Sequence, residues 1–370
     1  MRLLLLSVIG LSFVSSAHAQ RPPAVIPQSA DTVVEVLPRG YPALTRASTA
    51  SPLRPLEEPA RLLGAAARTG DARLAARADA LLARAPGGAS VEKRKLQAFG
   101  AQHRHAFATS RQLLDSVIKD APRDADARLA RAQLNMVQGR LAQARRDCAG
   151  LAVMDAGRAS ICIAALATRR GEYAKAAGIV DRFVSSGVQD PGFLRFALVM
   201  RGDIATRARE ANADAWYQRA LALDPQDVRT LAAYARHLNG SGQPRRTLAL
   251  LANAPEADGL QLQRALAARA AGTPDAAQLA AGQARRYALA RSVGMEPELR
   301  DEAELLLSLR GDAPAALALA LRNFESQRDY EDVDLLIRAA AAAKRPGTLA
   351  GLAAWARREG ITLPASGGGA

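Results

Sequence analysis

The 370-residue sequence holds only two cysteines, four histidines and five lysines, and aromatic residues make up 4% of it. The two cysteines, Cys148 and Cys162, do not form a Cys-Xaa-Xaa-Cys pair, which argues against a redox dithiol. His103 and His105 flank Arg104 in what reads as a solvated turn, with no third ligand nearby and a cationic neighbour, so no metal site is expected. His237 stands alone on a helical stretch. No Ser-His-Asp set, paired-carboxylate motif, phosphate-binding loop or His-Glu-Xaa-Xaa-His element occurs, so neither catalysis nor a cofactor is expected. An Arg-Gly-Asp triplet at 201 to 203 falls inside a predicted helix, where an adhesive role is out of place.

Long apolar runs are missing too. The one candidate, Leu3 to Val14, is too short to cross a bilayer as a helix. With Arg2 before it and Ala-His-Ala ahead of Gln20, residues 1–19 read as a secretory signal cleaved after Ala19. No cysteine follows the cleavage site to carry a lipid anchor, so a periplasmic or secreted protein without a membrane span is expected. The net charge of +14 would point first to nucleic acid, but export argues against it. Arginine outnumbers lysine 45 to 5, a bias that codon usage in a GC-rich genome would produce unaided.

What the sequence does have is repetition. Small residues recur at Ala75, Ser110, Ala144, Ala176, Ala213, Thr247, Ala280, Ala316 and Ala350, at intervals of 32 to 37 residues. Five places before these rungs stand Gly70, Gly139, Gly171, Gly242 and Gly311, as tight turns between antiparallel helices require. Ser110, Leu114 and Pro122 return with identical spacing as Ala213, Tyr217 and Pro225. Ser90, Asp124, Asp227, Thr273 with Pro274, and Asp312 with Pro314 supply helix starts. The stretch 190–224 carries a lengthened first helix, which accounts for the 37-residue interval.

A period near 34 with helix, turn, helix, a small residue, an apolar residue four later and a closing proline resembles the tetratricopeptide repeat. The resemblance is carried best by Ala-Asp-Ala-Trp-Tyr-Gln-Arg-Ala-Leu-Ala-Leu-Asp-Pro ending at Pro225, and by Ala125 through Gly139 to Cys148. It spans residues 56–360 as about nine units. It departs from the family in its first helices, which lack a large aromatic near their start; Trp216 and Trp355 fall in second helices instead. The resemblance implies an all-α, right-handed superhelical α-solenoid, one elongated domain whose units touch only their neighbours. Residues 20–55, rich in proline, read as a linker in which Thr32 to Pro38 either docks as a cap or stays free. Residues 361–370 are expected to be a disordered tail.

In that family the first helix of each unit faces a concave groove. Carried over position by position, the resemblance places Glu92, Lys95 and Phe99, then Leu129, Gln133 and Met136, then Arg158, Ile161 and Arg169 on it. Arg195 and Leu198 follow, then Arg229, Arg236 and Asn239, then Arg269, before the sign reverses at Glu298, Asp301 and Asp332. A basic middle of this kind would take an acidic or extended segment of another protein, because guanidinium groups hold carboxylates bidentately. These arginines could equally be ordinary solvated helix charges.

Cys148 and Cys162 each lie seven residues from Asp155, the expected centre of an inter-helix connection. Equal distances put the two at one height in an antiparallel pair, which suits a disulfide; two buried free thiols and a redox pair are the alternatives. The function expected is a non-catalytic interaction scaffold. An accessory factor for export or assembly of an anionic envelope polymer is the alternative, and an enzyme using the groove is the reading from another class.

Overall fold

The computed structural model describes residues 55–292 and 297–364. The proposed signal segment and most of the Pro-rich linker, including Thr32 to Pro38, lie outside the described residues. Within them the chain forms eighteen α-helices and no strand. In order these are α1 (Glu57–Thr69), α2 (Ala72–Arg84), α3 (Val91–His103), α4 (Phe107–Asp120), α5 (Ala125–Val137) and α6 (Leu141–Leu151). Next come α7 (Ala156–Arg169), α8 (Tyr173–Ser185), α9 (Pro191–Ala208), α10 (Ala213–Leu223), α11 (Val228–Gly240) and α12 (Pro244–Leu250). The last are α13 (Asp258–Ala271), α14 (Ala276–Ser292), α15 (Leu299–Leu305, running on as a π-turn to Arg310), α16 (Ala313–Ser326), α17 (Tyr330–Ala342) and α18 (Leu349–Glu359). Consecutive helices pack as pairs from α1 with α2 to α15 with α16, and α17 and α18 share residues of the C-terminal core.

Each pair turns through a residue in the left-handed region. Gly70, Gly139, Gly171, Gly242 and Gly311 do so where expected, joined by Gly272 and by three residues with a Cβ, His105, Arg209 and Lys344. The rung residues of the first four units, with Ala213, Thr247 and Ala316, are almost fully buried where the second helix meets its neighbours. The ladder slips in two later units, where Ala280 is half-buried and Ala350 exposed. There the chain turns at Gly272 and Lys344, not five residues before the expected rung.

First helices begin on polar caps. Ser90, Asp124, Asp155, Asp190 and Asp227 each accept a backbone N–H through the side chain at the start of α3, α5, α7, α9 and α11. Each thereby satisfies a donor that the first turn would otherwise leave open. Cys148 and Cys162 are joined by a disulfide with a Cα separation of 5.5 Å, linking α6 to α7 across the Asp155 connection.

The stack does not stay extended. It curls until its last two units rest on the turns of earlier ones, a departure from the expected solenoid in which units touch only neighbours. The Arg328 N–H donates to the Val137 carbonyl at 2.7 Å, and the Glu359 carboxylate accepts from the Leu141 N–H at 3.2 Å. Trp355 lies against Gly139, close enough that a Cβ there would sit 2.5 Å from the indole. The tail expected from 361 is in part ordered: Ile361 packs against both the central core and the C-terminal one. Thr362 bonds the carbonyls of Arg169 and Arg170, its N–H at 3.1 Å and its hydroxyl at 2.7 Å.

Two measurements test this. Gly242→Ala, with open space around the new methyl, should cost only the left-handed penalty of about 1 kcal/mol. Gly139→Ala should cost clearly more in urea melts and should shift the Trp355 fluorescence, because it also separates the seam. Replacing Cys148 and Cys162 by serine should lower stability by about 3 kcal/mol, the chain-entropy value for so short a loop.

Candidate functional site

The inner side of the curl is lined by first helices, as the repeat pattern implies. A cleft of about 180 Å³ opens there between α5, α7, α9 and the start of α11, and the start of α17 closes it from the opposite side. Its apolar surface comes from Met136, Phe196, Val199, Met200 and Tyr330, and its charges from four arginines and four carboxylates: Arg169, Arg195, Arg207 and Arg229, with Asp203, Asp227, Asp329 and Glu331.

Capping puts the acidic groups there. Asp329 caps α17 in a reciprocal box with Asp332, so the helix begins inside the curl with Tyr330 and Glu331 in its first turn. Arg169 forms an ion pair with Asp329 and donates to the Arg328 carbonyl at 2.9 Å. Arg207 pairs with Glu331 at 3.0 Å and lies over the Tyr330 ring, 4.5 Å from its centroid. Two of the cleft's four arginines are thus neutralised by the chain's own C-terminal unit.

Burial and the nearby Arg207 pull Arg169 down to about 10. Burial works against the charged form of Glu331 too, but Arg207, Arg236 and Arg300 outweigh it and hold the carboxyl at about 2. Asp203 is raised by burial, against the pull of Arg207, and accepts the Tyr217 hydroxyl at 2.8 Å. Arg195 faces Asp224 and Asp227 at 3.6 and 3.5 Å. Arg229 differs from its neighbours. Burial lowers its pKa with only Asp227 opposing, and its Nε is buried without a hydrogen-bond partner.

Of the groove residues inferred from sequence, Gln133, Met136, Arg169, Arg195 and Arg229 line this cleft. Others do not. Phe99 is 3% exposed and belongs to the core of the first three units, along with Leu129 and Ile161 in their own cores. Lys95 is held by Asp124 and Glu92 at 3.0 and 3.1 Å, and Arg158 by Asp126 at 2.7 Å and by Asp155. Arg236 lies deep beside Glu331 and Asp203, and Arg269 is exposed at the end of α13, away from the cleft.

The acidic groove end is also internal. Asp301 and Asp332 are buried next to Arg300, and Glu298 pairs with His105 at 3.2 Å. The His-Arg-His turn is therefore solvated only in part: Arg104 is exposed, but His105 is half-buried against Glu298 and Gln327, and burial with Arg229 nearby lowers His103 to about 3. The Arg-Gly-Asp triplet is built into α9, where Arg201 pairs with Asp181 and Glu210 at 2.8 Å each and Gly202 backs onto Tyr217. Arg207, Asp203 and the Asp329 to Glu331 turn escaped sequence reasoning. The reversal of sign along the groove positions was the available signal for them.

Consecutive helix pairs along the chain, with small buried residues in most second helices and first helices lining the cleft, decide the architecture. It is a tetratricopeptide-like α-solenoid. Among solved structures, the chain is similar to a tetratricopeptide repeat protein from Parabacteroides merdae at 15% identity, covering 68% of this chain and 99% of that one with a TM-score of 0.39. No protein-family model and no curated protein matches it. Among the described residues no helix is long and apolar enough to cross a membrane.

Glu331→Gln should destabilise the protein by about 3 kcal/mol at neutral pH, since it strips a buried arginine cluster of its counter-charge. The folded-state pKa lies below the usual 4.5, so the contribution is complete above that pH and is lost as pH falls toward 2. Urea melts of parent and variant should therefore converge on acidification.

Proposed function

We propose that this protein is a non-catalytic interaction scaffold, exported to the periplasm, whose inner cleft seats a short segment of a partner protein. The observation that carries this is Arg229: a cleft-lining guanidinium whose Nε is buried without a hydrogen-bond partner, beside the apolar surface of Met136, Phe196 and Met200. An acidic side chain or a terminal carboxylate on the partner would complete it, with an adjacent apolar residue on the methionines. Unmet hydrogen-bonding capacity in a buried arginine is costly, so a ligand that supplies it gains more than one placed in open solvent.

The small volume favours one or two inserted side chains over the long extended segment expected from the repeat pattern alone. The cleft lining includes no serine, cysteine, histidine or lysine. Asp203 accepts from the Tyr217 hydroxyl and Glu331 from Arg207, so neither carboxylate stands free as a base beside a nucleophile. Export rests on the N-terminal segment, and the Cys148 to Cys162 disulfide suits an oxidising compartment.

A photo-crosslinking residue placed at Phe196 in intact cells should capture one partner, and Arg229→Ala should reduce that capture roughly tenfold. The same probe at Val153, exposed on the outer side, should not capture it. Equal capture from both positions, or none from Phe196, would remove the cleft as the binding site. Sequencing the mature N-terminus should find Gln20.

A further inference from the structure

The closure of the curl creates a second surface on its outer side. Where the end of α18 meets α6 and the turn after α7, a shallow groove of about 490 Å³ is lined by Arg145, Arg146, Arg170 and Arg358, with Glu359 the one carboxylate. Glu359 is already engaged by the Leu141 N–H at 3.2 Å and lies 3.7 Å from Arg358. Arg145, Arg146 and Arg170 are exposed and form no ion pair or side-chain hydrogen bond within the described residues. Arg140 and Arg328 continue the basic surface: burial lowers each, and neighbouring guanidinium groups lower them further, Arg111 for Arg140, and Arg140 and Arg358 for Arg328.

This contrasts with the inner side, where almost every arginine has an acidic partner. The chain pairs Arg131, Arg158, Arg201 and Arg338 with two carboxylates each, whereas the four arginines of this cluster share only Glu359 and, beside Arg170, a Glu172 already paired with Lys175. Like charges gathered by folding repel one another, and a bound anion would relieve that repulsion.

We propose that this seam is a docking surface for an acidic polypeptide segment of another protein, separate from the inner cleft. The floor is Ala142, Ala149 and Leu141, and the groove runs on past Ala149 toward Ile163 and the Lys175–Glu172 ion pair, so an aspartate- and glutamate-rich segment would find guanidinium forks along its rim and a small apolar bed beneath. The groove offers mostly donors, and its two carboxylates, Glu359 and Glu172, are engaged by the Leu141 N–H and by Lys175. Sugar hydroxyls, which also need acceptors, fit it poorly. It exposes no aromatic ring on which nucleic-acid bases could stack, and its concave alanine floor with Ile163 as the one exposed large apolar side chain offers too little apolar surface to insert into a bilayer. The chain's own N-terminal segment is unsuited as occupant, since residues 20–54 carry Asp31 and Glu35 against four arginines.

Fluorescence anisotropy with a labelled oligoglutamate peptide tests the assignment on the mature protein. Binding should weaken steeply with salt. The exposed double variant Arg145→Glu with Arg146→Glu should lower the affinity roughly tenfold or more while leaving the melting profile intact. Capture of the inner-cleft partner from the Phe196 probe should be the same in the double variant as in the parent, so failure of the inner-cleft reading and failure of this one are read separately. Equal affinity for the parent and the double variant would overturn the proposal. So would binding of a sulfated polysaccharide or of anionic vesicles in place of the peptide, or a charge-reversal variant whose only change is loss of a dimer in sedimentation.

Discussion

The structure depends on the contact between the start of α17 and the arginines of α7 and α9. Two acidic residues in one helical turn, Asp329 and Glu331, meet Arg169 and Arg207 across the inside of the curl. Such pairs are costly to bury and costly to break. Around them sit directional bonds that tolerate little shift: Arg328 to the Val137 carbonyl, Thr362 to two carbonyls of the α7 end, and Trp355 on the one side of Gly139 where no side chain exists. A solenoid of independent neighbours thereby becomes a closed body in which the third to fifth units and the eighth and ninth support one another.

Closure has two consequences of opposite sign. Inside, it consumes the positive charge that a linear reading would offer to a ligand, and leaves a small cleft where Arg229 is the conspicuous exception. Outside, it brings Arg358 from the last helix beside Arg145, Arg146 and Arg170 from the middle of the chain, and so concentrates charge that no single unit possesses. The same folding event neutralises one face and charges the other.

The hairpin architecture was legible because its causes are local. A left-handed turn needs glycine or accepts a strained substitute, so Gly70, Gly139, Gly171, Gly242 and Gly311 announced five of the turns, while His105, Arg209 and Lys344 reach the same conformation without the signal. The disulfide was legible for a similar reason, since equal arms about Asp155 fix the height of both cysteines on adjacent helices. The site was legible only in part. Arg169, Arg195 and Arg229 line the cleft at positions carried over from the family resemblance, yet Phe99, carried over in the same way, is simply core.

The sequence by itself determined the helix pairs, because periodicity, caps and turn residues act within a span of some 34 residues, and the family resemblance those patterns support named the first helices as the inner ones. Only the tertiary structure decided which charges remain available. Whether Arg169 meets solvent or Asp329 depends on how far the stack rotates per unit, summed over the units between them. No local pattern encodes that sum, because a small angular change in each repeat moves the far end of the chain by many ångströms.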